Sequence, residues 1–153
     1  MKAHFDEVQQ FRQPWLFGLL GVLLYIVIKS QALADPPRWV GLAVGGGIIV
    51  AVSVFIYFCK VIIRVDNEGI HTQFWPLEKE KLVPPHEIEH SEIAVIRPLL
   101  DHGGWGLRVG RKGRSYIVSG TDAVVVTLRD GKKLTLGTQK QLELASAINR
   151  LLR

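Results

Sequence analysis

The longest uncharged stretch of the chain, residues 39–59, places the strongest constraint on the fold. Its sequence is WVGLAVGGGIIVAVSVFIYFC, 21 residues without a charged side chain. As a helix it would extend about 30 Å, which matches the hydrocarbon thickness of a bilayer. A helix that is apolar on every side needs a larger core than the remainder of this 153-residue chain provides. We therefore interpret residues 39–59 as a membrane span.

A second apolar stretch comes earlier, where residues 14–28 carry no charge. Its helix can continue to about residue 33 if Lys29 extends its amine towards the membrane surface. The connection at residues 35–37, Asp-Pro-Pro, cannot continue a helix and indicates a tight turn. The sequence thus predicts a polar N-terminal segment, a transmembrane helical hairpin and a following domain. Their bounds are residues 1–13, residues 14–59 with helices at about 14–33 and 38–59, and residues 60–153.

Basic residues flank the two apolar stretches unequally. Four lie at the outer ends of the hairpin and two at its connection: Lys2, Arg12, Lys60 and Arg64 against Lys29 and Arg38. The positive-inside rule then predicts a protein of the cytoplasmic membrane with both termini in the cytoplasm. The formal net charge of +5 is spread over both ends of the chain, which favours an anionic membrane surface as partner over nucleic acid.

A cleaved signal peptide is the alternative interpretation of the first apolar stretch. Ala32, Leu33 and Ala34 form a small-residue pattern typical of a cleavage site. The acid-containing segment before the stretch and Pro36 just beyond the site argue against cleavage. The mass of the protein extracted from membranes distinguishes the two interpretations.

The second stretch carries small residues at helical spacing. Gly41 and Gly45 stand four residues apart, and Gly47 and Ala51 form a second small-residue ridge. Small residues at this spacing let two helix backbones approach closely in lipid. They predict packing within the hairpin, self-association through a homodimer seam, or docking of the protein as an accessory subunit of a larger membrane complex.

Beyond Cys59 apolar and polar residues alternate, as in half-buried strands. Three pairs of alternating segments flank turn sequences: residues 61–65 and 70–75, 107–109 and 116–118, and 124–128 and 134–136. The last pair encloses Asp130 and Gly131, a strong signal for a tight hairpin. The sequence therefore predicts a small antiparallel β-barrel or sandwich.

The final segment, residues 139–152, has the pattern of an amphipathic helix. Thr138 and Gln141 have the spacing of a capping box, and Leu144 and Ile148 belong to one apolar stripe. The stripe needs an apolar surface to cover, so we expect this C-terminal helix to cap the open end of the barrel or sandwich.

Three stretches carry a resemblance to a family of small membrane proteins. They are residues 11–15 (FRQPW), residues 103–108 (GGWGLR) and residues 130–139, which run from Asp130-Gly131 to Gly137-Thr138-Gln139. With the strand order and the terminal helix, the chain resembles bacterial pleckstrin-homology-like domains attached to a transmembrane hairpin. The resemblance implies that residues 60–153 form such a domain. The family supplies no reaction, and its members generally bind lipid headgroups, peptides or other subunits. We expect no cofactor.

Four basic residues crowd one predicted turn: Arg108, Arg111, Lys112 and Arg114. Near an anionic leaflet each such charge contributes about 1 kcal/mol, so these residues are candidates for binding anionic headgroups or a protein partner. Phosphoinositide-binding members of the family carry their basic residues in the first strand turn, where this chain has Asp66 and Glu68. The alternative interpretation is a solvated, charged turn.

One motif points to an enzyme. His86, Glu87 and His90 satisfy H-E-x-x-H, which on a helix places two imidazoles on a zinc ion and a carboxylate as general base beside it. The β-branched residues that follow and the prolines on both sides argue for a strand or loop, where the two imidazoles cannot chelate one ion. Asp101 and His102 are the nearest later candidates for a third ligand. We therefore expect a non-enzymatic binding or scaffolding domain at the cytoplasmic membrane surface, with a zinc metallopeptidase as the alternative.

Overall fold

The computed structural model describes residues 4–34, 36, 38–97, 100 and 104–153. The chain divides into two compact units, a helical unit of Phe11–Cys59 and a β-rich unit of Met1–Gln10 with Lys60–Arg153. The elements, in chain order, are β1 (Phe5–Gln10), α1 (Pro14–Ala32), α2 (Trp39–Phe58), β2 (Lys60–Asp66), β3 (Gly69–Trp75), β4 (Lys81–Val83), a 3-10 turn (Pro85–Glu87), β5 (Ile88–Val95), β6 (Gly106–Gly110), β7 (Gly113–Ile117), β8 (Asp122–Leu128), β9 (Lys133–Gly137) and α3 (Gln141–Leu151).

The helical unit consists of α1 and α2, and both are long and apolar enough to cross a membrane by length and composition. At 1.5 Å per residue they extend about 28 and 30 Å. No described residue of α1 is buried, and Gly46 is the buried residue of α2. The Ser53 hydroxyl donates to the carbonyl oxygen of Ile49 at 2.8 Å, so this polar group is satisfied within its own helix. In the predicted turn at residues 35–37, residues 35 and 37 lie outside the described part of the chain.

The first sheet of the β-rich unit has the order β1-β2-β3-β4, with antiparallel neighbours. Strand β1 corrects the prediction of a merely polar segment at residues 1–13, of which residues 1–3 lie outside the described residues. Phe5 is buried opposite Val65, and Gln10 pairs with Lys60. Two strands that are separated by both apolar helices in the sequence therefore lie side by side.

Polar contacts fix the inner side of β1. The Gln9 side-chain amide donates to the carbonyl oxygen of Gly137 at 2.8 Å, and the Thr138 hydroxyl donates to Glu7. Thr138 also accepts from the backbone N–H of Lys140 at 2.9 Å. The predicted capping box is therefore wrong, because α3 begins at Gln141 and the Thr138 hydroxyl holds the segment before it.

The second sheet has the order β5-β8-β9-β7-β6. The three predicted hairpins are confirmed, with β2 against β3, β6 against β7 and β8 against β9. Strand β7 also runs parallel to β9, which departs from the predicted all-antiparallel arrangement. The prediction of a barrel is wrong for the described residues, because the strands form two separate sheets and no ladder joins their edges.

The core of the β-rich unit lies on the face of the second sheet that carries Val124 and Val126. These residues pair with Leu136 and Leu134, and all four are buried. Helix α3 contacts β5 and β8, and its Leu144 and Ile148 are fully buried. The predicted C-terminal helix is thus confirmed, and its apolar stripe covers sheet residues.

Candidate functional site

The turn between β6 and β7 is fixed against the start of β9. The backbone N–H of Lys133 donates to the carbonyl oxygen of Lys112 at 2.9 Å. Gly113 has φ +135°, and a Cβ at this position would overlap the carbonyl of Lys133, so the close approach requires glycine. This contact brings Lys133 beside the basic turn, although it follows residue 114 by almost twenty positions in the sequence.

The four basic residues predicted as one cluster divide between the two faces of the β6–β7 hairpin. Arg108 pairs with Ser115, and Ser115 pairs with Thr135, so these three share one face. Arg114 pairs with Val109 and with Leu134, which places it on the opposite face. Arg111 and Lys112 occupy the turn itself and are exposed.

Arg114 belongs to a partly buried polar cluster. Its guanidinium donates to Glu78, and the Tyr116 hydroxyl donates to the other carboxylate oxygen of Glu78 at 2.7 Å. The Lys81 ammonium lies 3.5 Å from the same carboxylate, and Tyr116 is fully buried. Arg114 therefore connects β7 to the segment after β3, and its charge is paired with Glu78.

The pKa values in this cluster follow from burial and pairing. Burial raises the pKa of Glu78, but hydrogen bonds from Tyr116 and Arg114 and the charges of Arg114 and Lys81 outweigh it and lower the pKa. Burial is the main cause that raises the pKa of Tyr116, so its phenol stays protonated and donates to Glu78. The carboxylate of Glu78 is consequently ionised at neutral pH.

A cavity of about 430 Å³ opens on the face that carries Arg108, Ser115 and Thr135. Four basic residues line it, namely Arg108 from β6, Lys112 from the turn, Arg114 from β7 and Lys133 from β9. No carboxylate is among its lining residues in the described part of the chain. Lys133, Ser115 and Thr135 were not predicted as site residues.

The hydroxyl of Ser115 is the unusual feature of this cavity. Ser115 is 3% exposed, and its oxygen is buried without a hydrogen-bond partner among the described residues. A buried hydroxyl without a partner costs about 1–3 kcal/mol, because it has left water without a replacement contact. The cavity thus combines basic side chains with a buried hydroxyl that has no hydrogen-bond acceptor among the described residues.

The first strand turn is acidic, as the sequence predicted. Asp66 accepts from the backbone N–H of Glu68 at 2.9 Å, and His71 Nε2 lies 3.2 Å from Asp66 Oδ1. Burial raises the pKa of Asp66, but these two contacts outweigh it and lower the pKa. The second nitrogen of His71 lies 2.9 Å from Glu80, so this end of the sheet presents carboxylates rather than cations.

The H-E-x-x-H motif does not form one helix. His86 and Glu87 lie in the 3-10 turn, whereas His90 lies in β5 beyond a register shift. The geometry that places both imidazoles on one ion is therefore missing. Among the described residues, no group of three His, Cys, Asp or Glu side chains is arranged to hold a metal ion. The nearest later candidates for a third ligand, Asp101 and His102, lie outside the described residues.

The small residues of α2 divide into a packed ridge and an open ridge. A Cβ on Gly45 would lie 3.2 Å from a methyl of Val27 in α1, and one on Gly46 would lie 3.6 Å from Leu24. Gly41 faces the side chain of Gln31, also in α1. A Cβ on Gly47 would meet nothing within 4 Å outside its own helix backbone among the described residues, and Ala51 is exposed. The first ridge therefore packs within the hairpin.

Gly45→Leu is expected to destabilise the helical unit by about 1–3 kcal/mol, since the added side chain collides with Val27. Gly47→Leu is the matched control, because the same side chain enters open space. The measurement is unfolding of the full-length protein by dodecyl sulfate in mixed micelles. Equal losses for the two variants would contradict the assignment of the packed ridge.

Comparison with known proteins gives no match to this chain, whether with family models, with curated proteins or with solved structures.

Proposed function

We propose that this protein is a membrane-anchored binding module. Its two apolar helices cross the cytoplasmic membrane as a hairpin, and its β-rich unit recognises a ligand or partner at the cytoplasmic surface without catalysing a reaction. The proposal includes the pleckstrin-homology-like character that the sequence resemblance implies for the β-rich unit.

The pairing of β1 with β2 carries this proposal. Strand β1 precedes α1, β2 follows α2, and Gln10 lies opposite Lys60 in one sheet. A sheet cannot have strands on opposite sides of a membrane, so the chain must cross an even number of times between them. Two helices of membrane-spanning length satisfy this condition as a hairpin.

The same pairing argues against cleavage after Ala34. Cleavage there would remove β1, and with it the buried side chains of Phe5 and Gln9 and the hydrogen bond to Gly137. We expect the protein purified from membranes to have the mass of the uncleaved chain. A mass that lacks the first 34 residues would contradict this prediction.

The membrane half of the proposal is tested by protease protection of the full-length protein. We expect protease to digest the β-rich unit in inside-out vesicles and to leave it intact in sealed right-side-out vesicles. Resistance to extraction at alkaline pH is the accompanying result. Digestion in right-side-out vesicles would overturn the cytoplasmic assignment.

A second experiment tests whether the β-rich unit contacts a ligand or partner through the basic turn. A photo-crosslinking side chain at Arg111, an exposed residue of the basic turn, is expected to capture a defined lipid or protein in native membranes. The same group at Glu143, which is exposed on α3, serves as the control. Capture at neither position, or equal capture at both, would count against recognition through the basic turn.

A further inference from the structure

We propose that the cavity between β6, β7 and β9 is a binding site for a phosphate group. The proposal rests on the proposed function, because it names the ligand chemistry of the same β-rich unit. The phosphate could belong to a lipid headgroup or to a free phosphate compound, and both sources present the same oxygens to the site.

Charge is the first argument. Arg108, Lys112, Arg114 and Lys133 line the cavity, and no carboxylate lines it in the described part of the chain. Of these four, Arg114 is paired with Glu78. Among the described residues, Lys112 and Lys133 form no ion pair. The neighbouring Lys132 differs, because its ammonium nitrogen lies 2.9 Å from a carboxylate oxygen of Asp130. Lysine and arginine donors form their strongest hydrogen bonds with anionic oxygens, and such bonds are about twice as strong as neutral ones.

The buried hydroxyl is the second and independent argument. Ser115 is one of the residues that line the cavity, and it is 3% exposed. Its hydroxyl oxygen is buried and has no hydrogen-bond partner among the described residues. A phosphate oxygen seated there would accept from this hydroxyl and remove the cost of leaving it unpaired. A solvated basic turn has no need for such a buried donor at its base.

Backbone shape is the third argument. Gly110 lies on the wall of the cavity, and a Cβ at this position would meet nothing within 4 Å among the described residues, so the wall is open there. The cavity volume of about 430 Å³ lies within the range of small-ligand sites and exceeds the size of a single phosphate. A phosphate that carries a further group, such as glycerol, therefore also fits the space.

The test is a titration of the full-length protein in neutral detergent micelles, followed by calorimetry and by phosphorus NMR. The probes are inorganic phosphate, a short-chain phosphatidic acid and a short-chain phosphatidylcholine. We expect saturable binding of at least one of the first two probes and weaker binding of phosphatidylcholine, whose choline ammonium opposes the site. Preference for phosphatidic acid identifies a lipid headgroup as the source, and preference for inorganic phosphate identifies a free compound.

Two variants separate a built site from general attraction of anions. Lys133→Gln is expected to weaken binding about tenfold, whereas Lys132→Gln, with the same charge change on an exposed side chain outside the cavity, should leave it within about twofold. Ser115→Ala should weaken binding several-fold without lowering the thermal unfolding temperature, since it removes an unpaired hydroxyl.

Three results would overturn the proposal: no saturable binding of either anionic probe, equal weakening by Lys133→Gln and Lys132→Gln, or unchanged affinity in Ser115→Ala. The titration is made in detergent and does not depend on membrane orientation. Failure of the membrane-anchored function would instead appear in protease protection and crosslinking, so the two failures are distinguishable.

Discussion

Leu144→Ala is expected to lower the free energy of unfolding of the β-rich unit by about 2–5 kcal/mol. Leu144 lies on α3 with no exposed surface, where the helix covers β5 and β8. Truncation removes buried methyl groups and leaves a cavity that the two sheets cannot fully close. The measurement is urea unfolding of the full-length protein in neutral detergent, followed by tryptophan fluorescence.

Leu142→Ala provides the matched control for this experiment. Leu142 lies on the same helix, two residues away, and is 70% exposed. We expect its loss of stability to stay within about 0.5 kcal/mol, as for ordinary surface substitutions. Similar losses for the two variants would show that α3 does not bury the face that carries Leu144.

Glu78→Gln is expected to lower the free energy of unfolding by about 2–3 kcal/mol at neutral pH. The carboxylate accepts from Arg114 and from the buried Tyr116, and hydrogen bonds to charged groups contribute about 1.5–3 kcal/mol. The substitution also leaves the partly buried guanidinium of Arg114 without its counter-charge. Glu80→Gln, at an exposed carboxylate paired with His71, is the control and should cost less than about 1 kcal/mol.

The effect of Glu78 depends on pH in a defined direction. Its pKa in the folded protein lies below the ordinary value of 4.5, so the unfolded chain binds the proton more tightly. The stability from its charge is therefore complete above about pH 4.5 and is lost as the pH falls through the lower folded pKa. The difference between wild type and Glu78→Gln should shrink over that acidic range. A difference that stays constant down to low pH would contradict the role of the ionised carboxylate.

Local signals were sufficient to predict much of the second sheet. The hairpin of β8 and β9 follows from alternating valines and leucines around Asp130-Gly131, and the structure has this register. The two membrane-length helices follow from two long apolar stretches, of which the first includes Lys29 in its last turn. Strand β1 was missed because two of its inward positions, Glu7 and Gln9, are polar and hide the two-residue period.

The candidate site could be predicted only in part. The basic turn is visible in the sequence, and a two-residue turn between Gly110 and Gly113 already implies that Arg108 and Arg114 point to opposite faces. Lys133 could not be placed beside the turn, because the parallel pairing of β7 with β9 is a tertiary contact without a local signal. The relation to pleckstrin-homology-like domains stays a prediction.

The position of β1 imposes an order on the synthesis of this protein. The strand leaves the ribosome before either helix, while its partner β2 emerges only after both. Since the first sheet needs both strands, synthesis of both helices must precede closure of that sheet, and β1 has no strand partner in the interval. A chain stalled during translation between these two strands would expose the unpaired backbone groups of β1 to chaperones and proteases.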